Sequence, residues 1–265
     1  METAALALAL GAGAGFAATL LGIGGGAIIV PLLVLAGVDV KVASPASLVA
    51  ILGTSIGGLR YLYSRGLVNL RVAVVLEATT TLGAAAGVWL YGTLTSRGLG
   101  LAFAATLALS ALGMHLRRRA EASAPAEFRW PPRPARLAAA LAASLAAGLL
   151  SALLGIGGGV IKVPVLVLVL GMPLKAAVST SKLMVGITAA VGVAGHTLRG
   201  SIDWALALPL ALGTYLGSTA GSRVLVRVRA ASLYTIAIAY YLAMSAYLTY
   251  HFTHTTPPPP APGGG

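Results

Sequence analysis

The chain has 265 residues, of which 58% are hydrophobic and only 9% are charged. Soluble domains carry roughly 25% charged residues, so this composition indicates an integral membrane protein and excludes an ordinary soluble domain. Cysteine is absent, which excludes disulfides, thiolate metal sites and a cysteine nucleophile. The net charge of +12 lies mostly in loops beside apolar segments. It is therefore interpreted as a determinant of orientation in the lipid bilayer, not as a surface for nucleic acid.

Ten apolar segments follow one another along the chain. Their approximate bounds are 4–21, 26–37, 42–63, 70–91, 98–116, 136–154, 159–171, 174–197, 204–223 and 231–251. A membrane-spanning helix needs about 20 residues. The segments at 26–37 and 159–171 are shorter, and each is expected to form a hairpin with the segment before it. We therefore predict an all-α polytopic membrane protein with eight full spans and two short helices, or ten spanning segments if the hairpins are full and tilted.

A glycine motif occurs twice in this apolar sequence. Residues 20–26 read Leu-Leu-Gly-Ile-Gly-Gly-Gly, residues 153–159 repeat them, and both copies continue to a Val-Pro pair. Glycine weakens a helix and frees backbone groups, which lipid tolerates only where the backbone is buried in protein or lines a wet cavity. Two such breaks in equivalent places predict a transporter binding site near the middle of the membrane. Close packing of helices is the alternative role for these glycines.

Further matches divide the chain into two halves. The matched pairs include Lys41 with Lys175, Ser47 with Ser181, Thr54 with Thr188, and Asn69 with Asp203. The first membrane repeat is predicted at 1–116 and the second at 136–252. An Arg- and Pro-rich linker at 117–135 joins them, and a disordered tail is predicted at 253–265. Each half contains one glycine-broken hairpin and three spans, so the halves are expected to insert in opposite orientations as inverted repeats.

The positions of the arginines predict the orientation. Those of the linker are Arg117, Arg118, Arg119, Arg129 and Arg133, which places the linker in the cytoplasm. Counting spans from the linker puts Arg65, Arg71, Arg223, Arg227 and Arg229 inside, and Arg97 and Arg199 outside. The same count leaves both termini outside.

The candidate anion site combines backbone and hydroxyl donors. A helix that begins at Gly25 or Gly158 would direct its positive dipole end at an anion. The backbone residues assigned to the site are Gly24, Gly25, Gly26, Gly157, Gly158 and Gly159. Ser47 and Ser181 stand near the starts of matching spans and are predicted to add hydroxyl donors. The alternative is that these hydroxyls bond back to carbonyls of their own helices.

Charged side chains inside apolar segments are costly and therefore indicate function. Lys182 has no carboxylate at helical spacing, so it is assigned to the anion site, with snorkelling to the nearer interface as the alternative. Lys162 is a further candidate for binding substrate or for coupling. Glu77 is predicted to carry a coupling proton or, alternatively, to pair with an arginine such as Arg71.

The sequence contains no recognisable nucleophile–base pair, paired carboxylates or metal-ligand cluster. Neither an enzyme, nor a cofactor, nor a metal site is predicted. The duplication instead favours a secondary transporter that works by alternating access. Two alternatives stay open: an anion channel of the same fold, and a membrane scaffold whose glycines serve only packing.

The paired motif at 20–31 and 153–164 resembles the TauE/SafE sulfite-exporter family, also called the sulfonate-uptake permease family. The small-residue runs at 82–87 and 216–221 resemble it too, and the resemblance extends from about residue 4 to residue 251. It implies a permease of the cell inner membrane for small sulfur-containing anions such as sulfite, sulfoacetate or another organosulfonate. Either direction of transport is compatible with the resemblance, and so is coupling to a proton or to sodium.

Overall fold

The computed structural model describes residues 2–21, 25–123, 128 and 130–254, and within these ranges the regular secondary structure is entirely helical. The helices are α1 (Glu2–Leu21), α2 (Gly26–Leu35), α3 (Val40–Ile56), α4 (Leu59–Ser64), α5 (Leu70–Tyr91), α6 (Ser96–Ser123), α7 (Pro134–Leu154), α8 (Gly159–Pro164), α9 (Leu174–Leu198), α10 (Trp204–Leu225) and α11 (Ala230–His254). A π-helical turn, Val165–Val169, continues α8. The predicted all-α polytopic class is confirmed.

Seven stretches of the described chain are long and apolar enough to cross a membrane. They are Ala4–Leu21, Val40–Ser64, Leu70–Tyr91, Ser96–Leu116, Pro134–Leu154, Leu174–Leu198 and Ala231–His254. With 22 residues, α10 is as long as α5, but its composition is too polar for it to be counted with them. Because α2 has 10 residues, it is about 15 Å long, roughly half the hydrocarbon thickness. Eight long segments and two short ones therefore follow the first of the two predicted arrangements.

Two predicted boundaries fall differently in the structure. α6 continues to Ser123, into the segment predicted as a linker, and α7 begins at Pro134. Residues 124–127 and 129 of that segment, and 255–265 of the predicted tail, lie outside the described residues.

The apolar run at 42–63 is interrupted at Gly58, whose φ of +74° separates α3 from α4. A Cβ at Gly58 would lie 2.1 Å from Ser222 Oγ, so α10 packs closely against this bend.

Side-chain caps fix several helix starts. Asp39 accepts a hydrogen bond from the Lys41 amide at the start of α3, and Asn69 accepts one from Val72 at the start of α5. Asp203 caps α10. Such caps satisfy backbone donors that have no partner within the helix. Asn69 and Asp203 are matched positions, so the repeat retains this cap in both halves.

The helices pack in equivalent pairs. α1 packs against α10, and α5 packs against α7, with glycine at the contacts. A Cβ at Gly217 would lie 1.9 Å from the Ala12 carbonyl oxygen, and one at Gly148 would lie 1.9 Å from that of Thr80. Small residues let backbones approach this closely in lipid, where apolar burial does not drive helices together. Packing is therefore the role of these glycines outside the duplicated motif.

Neighbouring contacts also give the direction of each helix. Gly53 lies against Ala211 and Gly57 against Tyr215, so α3 and α10 run the same way. The same reasoning makes α1 parallel to α10, and α7 parallel to α5. Contacts of Gly186 with Ser55 and of Gly192 with Leu48 make α9 antiparallel to α3. Thus α1, α3 and α10 run in one direction, whereas their equivalents α7, α9 and α5 run in the other.

Candidate anion-binding site

The second copy of the glycine motif interrupts a helix, because α7 ends at Leu154 and α8 begins at Gly159. At the first copy, the described part of α1 ends at Leu21 and α2 begins at Gly26. At the second break, Gly155, Gly157 and Gly158 have φ values of +67°, +74° and +71°. Glycine adopts this left-handed region without the steric cost of a Cβ. At the first break, Gly24 lies outside the described residues, as do 22 and 23.

The two breaks meet inside the molecule. A Cβ at Gly26 would lie 1.7 Å from the carbonyl oxygen of Gly155, so the start of α2 touches the second break directly. Ser47 on α3 donates to the carbonyl oxygens of Gly155 (2.7 Å) and Ser44 (2.6 Å). The Ser47 hydroxyl is therefore held by backbone carbonyls, one of them in its own helix, and joins α3 to the second break.

Ser181, at the position equivalent to Ser47, has a different environment. Its side chain is 1% exposed, and its hydroxyl has no hydrogen-bond partner among the described residues. Leaving a buried hydroxyl without a partner costs about 1–3 kcal/mol. A group retained at that cost is a candidate for binding a ligand.

Lys182 follows directly on α9 and is 8% exposed. Its Nζ donates to the hydroxyl oxygens of Ser218 (2.5 Å), Thr19 (3.2 Å) and Ser222 (3.2 Å). All three partners are neutral, and in the described part of the chain no carboxylate pairs with this ammonium group. The three hydroxyls were not recognised from the sequence. The available signal was that Ser218 and Ser222 lie one turn apart on α10, where the first half has Ala84 and Val88.

A small cavity of about 20 Å³ lies beside Lys182. Its lining residues are Ala18, Thr19, Thr54, Ser55, Val178, Ser181, Lys182 and Val185. A cavity of this size holds about one water molecule. It borders the first break, because a Cβ at Gly25 would lie 2.8 Å from Thr54 Oγ1. The structure thus brings Ser181 and Lys182 together around one cavity, and Gly25 lies next to Thr54 in its lining.

Lys162 and Glu77 lie in a separate cluster. Lys162 Nζ is 3.1 Å from Glu77 Oε2 and 3.4 Å from Oε1, with side chains that are 1% and 6% exposed. The ammonium also donates to Thr188 Oγ1 (2.6 Å), and the Thr188 hydroxyl donates to Glu77. The alternative pairing of Glu77 with Arg71 is wrong, because Arg71 is exposed at the start of α5. Glu77 pairs instead with Lys162. The two residues lie in different halves of the chain, so helical spacing in the sequence does not reveal the pair.

Comparison with known proteins decides the family. The family described as Sulfite exporter TauE/SafE matches residues 7–248. The chain belongs to this family. One TauE/SafE-like relative is the "Probable membrane transporter protein YunE" of Bacillus subtilis (strain 168), which is 34% identical over 70 residues. That match covers 26% of this chain and 26% of the relative, and no solved structure matches significantly. Because the chain belongs to the TauE/SafE family and contains long apolar helices, it is a multi-pass membrane protein of a transporter family.

Proposed function

We propose that the protein is a secondary transporter that carries a small sulfur-containing anion, sulfite or an organosulfonate, across the cell membrane by alternating access. The observation that carries the proposal is the environment of Lys182. Its buried ammonium has three neutral hydroxyl partners and borders a cavity at a helix break. Buried charges are ordinarily paired, so a bound anion would supply the missing counter-charge.

The donors around the cavity fit an oxyanion. An anion such as sulfite offers acceptor oxygens pointing in several directions, and charge-assisted bonds to these oxygens are the strong ones. Lys182 supplies the charge and Ser181 supplies a hydroxyl donor, while the Thr54 hydroxyl donates to the Ala50 carbonyl of its own helix. We assign the helix starts at 24–26 and 157–159 as backbone donors, since the positive end of a helix dipole favours an anion. The sulfur chemistry itself comes from the family.

The arrangement of the helices supports alternating access. Equivalent helices of the two halves run in opposite directions, as inverted repeats require. The start of α2 touches the second glycine break, which supports a site between the halves. The cavity holds about one water molecule, less than an anion with three oxygens needs. In this proposal the structure is a closed conformation, and relative movement of the halves opens the site to one side at a time.

Ligand-dependent thermal stability of the purified protein tests the anion site. A ligand that binds only the folded state raises the melting temperature by mass action. Sulfite, sulfate, sulfoacetate, taurine and acetate would be compared at equal ionic strength. Stabilisation by a sulfur anion but not by acetate is the expected result. Equal melting temperatures with all five compounds would remove the support for a sulfur-anion site.

Transport is tested in sealed proteoliposomes. A carrier exchanges labelled internal sulfite for unlabelled external sulfite, and its rate saturates with concentration. An anion channel would conduct without saturating at low concentration, and a scaffold would move no sulfite. Exchange that is absent in liposomes containing folded protein would contradict the carrier proposal.

A further inference from the structure

The buried cluster of Lys162, Glu77 and Thr188 joins three helices in the interior. α8 contributes Lys162, α5 contributes Glu77, and α9 contributes Thr188. The ion pair at 3.1 Å is almost wholly removed from solvent. It holds the short broken helix α8 against two long helices, so a change in its charge acts directly on the element that begins at the second glycine break.

The cluster combines Glu77 of the first half with Lys162 and Thr188 of the second, and the repeat contains a matching set of positions without the charges. The positions that match Lys162, Glu77 and Thr188 are Ile29, Ala211 and Thr54, so only the threonine is retained. Replacing a buried ion pair by apolar residues is often neutral or stabilising. The matching set of positions has no ion pair, so fold stability alone does not account for the two charges of the cluster.

Oxygen atoms surround the Lys162 ammonium as they would surround a bound cation. Both carboxylate oxygens of Glu77 lie within 3.4 Å of Nζ, and Thr188 Oγ1 lies at 2.6 Å. Oxygen ligands of this kind also suit hard metal cations. The Lys162 ammonium fills the space between these oxygens, so a metal cation would have to displace the lysine in order to bind them.

The cluster is also connected to the anion cavity. A Cβ at Gly158 would lie 3.4 Å from Lys162 Cε, and one at Gly157 would lie 2.8 Å from Val185 Cγ1. Val185 lines the cavity beside Lys182. The second glycine break therefore lies between the ion pair and the proposed anion site.

We infer that Lys162, Glu77 and Thr188 form a proton-binding site that couples anion transport to a proton gradient. A proton from the aqueous phase forms an O–H bond with a Glu77 carboxylate oxygen, while Lys162 stays an ammonium. The cluster then changes from no net charge to one positive charge, which a monoanion in the neighbouring cavity balances. Release of the proton restores the ion pair and removes that attraction. One proton therefore moves with each monoanion; this step rests on the proposed function.

Other titratable side chains on the packed elements have separate positions. Those nearest along the described helices are Lys182, His196, Arg71, His115 and Arg136. Lys182 bonds to its three hydroxyls, and His196 lies against the Ala152 carbonyl and Ser201. The other three are exposed. Glu77 is thus the acidic group that faces Lys162 and is assigned the proton.

The test measures accumulation of radiolabelled sulfite in proteoliposomes at clamped voltage, with an imposed pH gradient or an imposed sodium gradient. The main variant is Glu77→Gln, which cannot exchange a proton and keeps the one positive charge that the cluster has when Glu77 is protonated. The second variant adds Lys162→Met, so that its cluster is never positive. Ile29→Met, the same new side chain at the matched position, is the control. Sulfite–sulfite exchange is measured for each protein, because exchange needs no net proton movement.

Wild type and Ile29→Met are expected to accumulate sulfite when the pH gradient is imposed but not when the sodium gradient is imposed. Glu77→Gln is expected to lose at least tenfold in accumulation while its exchange rate stays within threefold of wild type, and the double variant is expected to lose both activities. Accumulation that survives in Glu77→Gln, or loss of its exchange together with accumulation in folded protein, overturns the inference. Wild-type accumulation driven by sodium overturns it while leaving the proposed function intact. A folded wild type that neither accumulates nor exchanges sulfite overturns both.

Discussion

Lys182 brings a positive charge into the interior, where only hydroxyl groups meet it. Thr19 and Ser218 also bond to each other (2.8 Å), and Ser218 donates to the carbonyl oxygens of Thr54 (2.6 Å) and Gly57 (2.9 Å). These bonds do not depend on the ammonium. Thr19 and Ser218 therefore keep hydrogen-bond partners when the lysine is absent, and we expect the protein to fold without it.

Lys182→Met is expected to weaken sulfite binding by about 10-fold to 100-fold while the protein stays folded. The reason is that a hydrogen bond to a charged group contributes about 1.5–3 kcal/mol, and 1.4 kcal/mol is tenfold in affinity. The measurement is a sulfite titration followed by melting temperature. Lys175→Met is the matched control, because Lys175 begins the same helix and donates to the Val226 carbonyl away from the cavity. Equal sulfite affinity in wild type and Lys182→Met would exclude Lys182 from the site.

Ser181→Ala is expected to have opposite effects on stability and on binding. Without ligand, the variant loses an unpartnered buried hydroxyl, so its melting temperature should equal or exceed that of wild type. With sulfite, the stabilising shift should be smaller, because one donor to the anion is missing. Ser151→Ala removes the other unpartnered buried hydroxyl, on α7 and outside the cavity lining, and should leave the sulfite shift unchanged. An undiminished shift in Ser181→Ala would assign the serine to packing.

At the level of elements, the contact between α2 and the second break is the closest approach in the site. A Cβ at Gly26 would overlap the Gly155 carbonyl oxygen, which is backbone and cannot rotate away. Gly13 in α1 is unconstrained, because nothing lies within 4 Å of its Cβ position. Replacing Gly13 therefore tests the effect of removing a glycine from a helix. Replacing Gly26 also tests the contact between α2 and the second break.

Gly26→Ala is expected to lower the melting temperature sharply or prevent folding, since α2 must move away from the second break. Gly13→Ala, the control, should raise stability by up to about 1 kcal/mol because alanine favours helix over glycine. The melting temperature and the yield of monodisperse protein in detergent measure both effects. If both variants melt alike, the two breaks do not touch in the folded protein.

Sequence patterns predicted the elements better than their partners. The glycine cluster within an apolar run predicted the break between α7 and α8, because glycine is a poor helix former. The bend at Gly58 was missed, since it depends on contact with Ser222 on α10. The partner of Lys162 was also missed, because Glu77 is brought to it by folding of the two halves. A helix break can be predicted from the residues of one segment, whereas an ion pair between residues 85 positions apart cannot.

At the scale of the whole molecule, the loops form two groups. At one end, Ser96 donates to Asp39 (3.2 Å) and Arg199 donates to the Trp89 carbonyl (3.1 Å). At the other end, Lys175 donates to the Val226 carbonyl. An open depression of about 600 Å³ at that second end brings Arg71 together with Trp130 and Pro173. Arginine counting separates the same two groups of loops, and their assignment to the outside and the inside stays a prediction.

The orientation itself is open to direct labelling, because the chain contains no cysteine and needs no background removal. Single replacements Arg65→Cys, Arg97→Cys, Arg199→Cys and Arg227→Cys would be treated in intact cells with a membrane-impermeant maleimide. All four side chains are exposed, so reactivity reports the side of the membrane. We expect labelling at 97 and 199 only, with 65 and 227 reacting after permeabilisation, since arginine-rich connections stay in the cytoplasm. Labelling of 65 and 97 from the same side would contradict one crossing by α5, and with it the opposite insertion of the two halves on which alternating access depends.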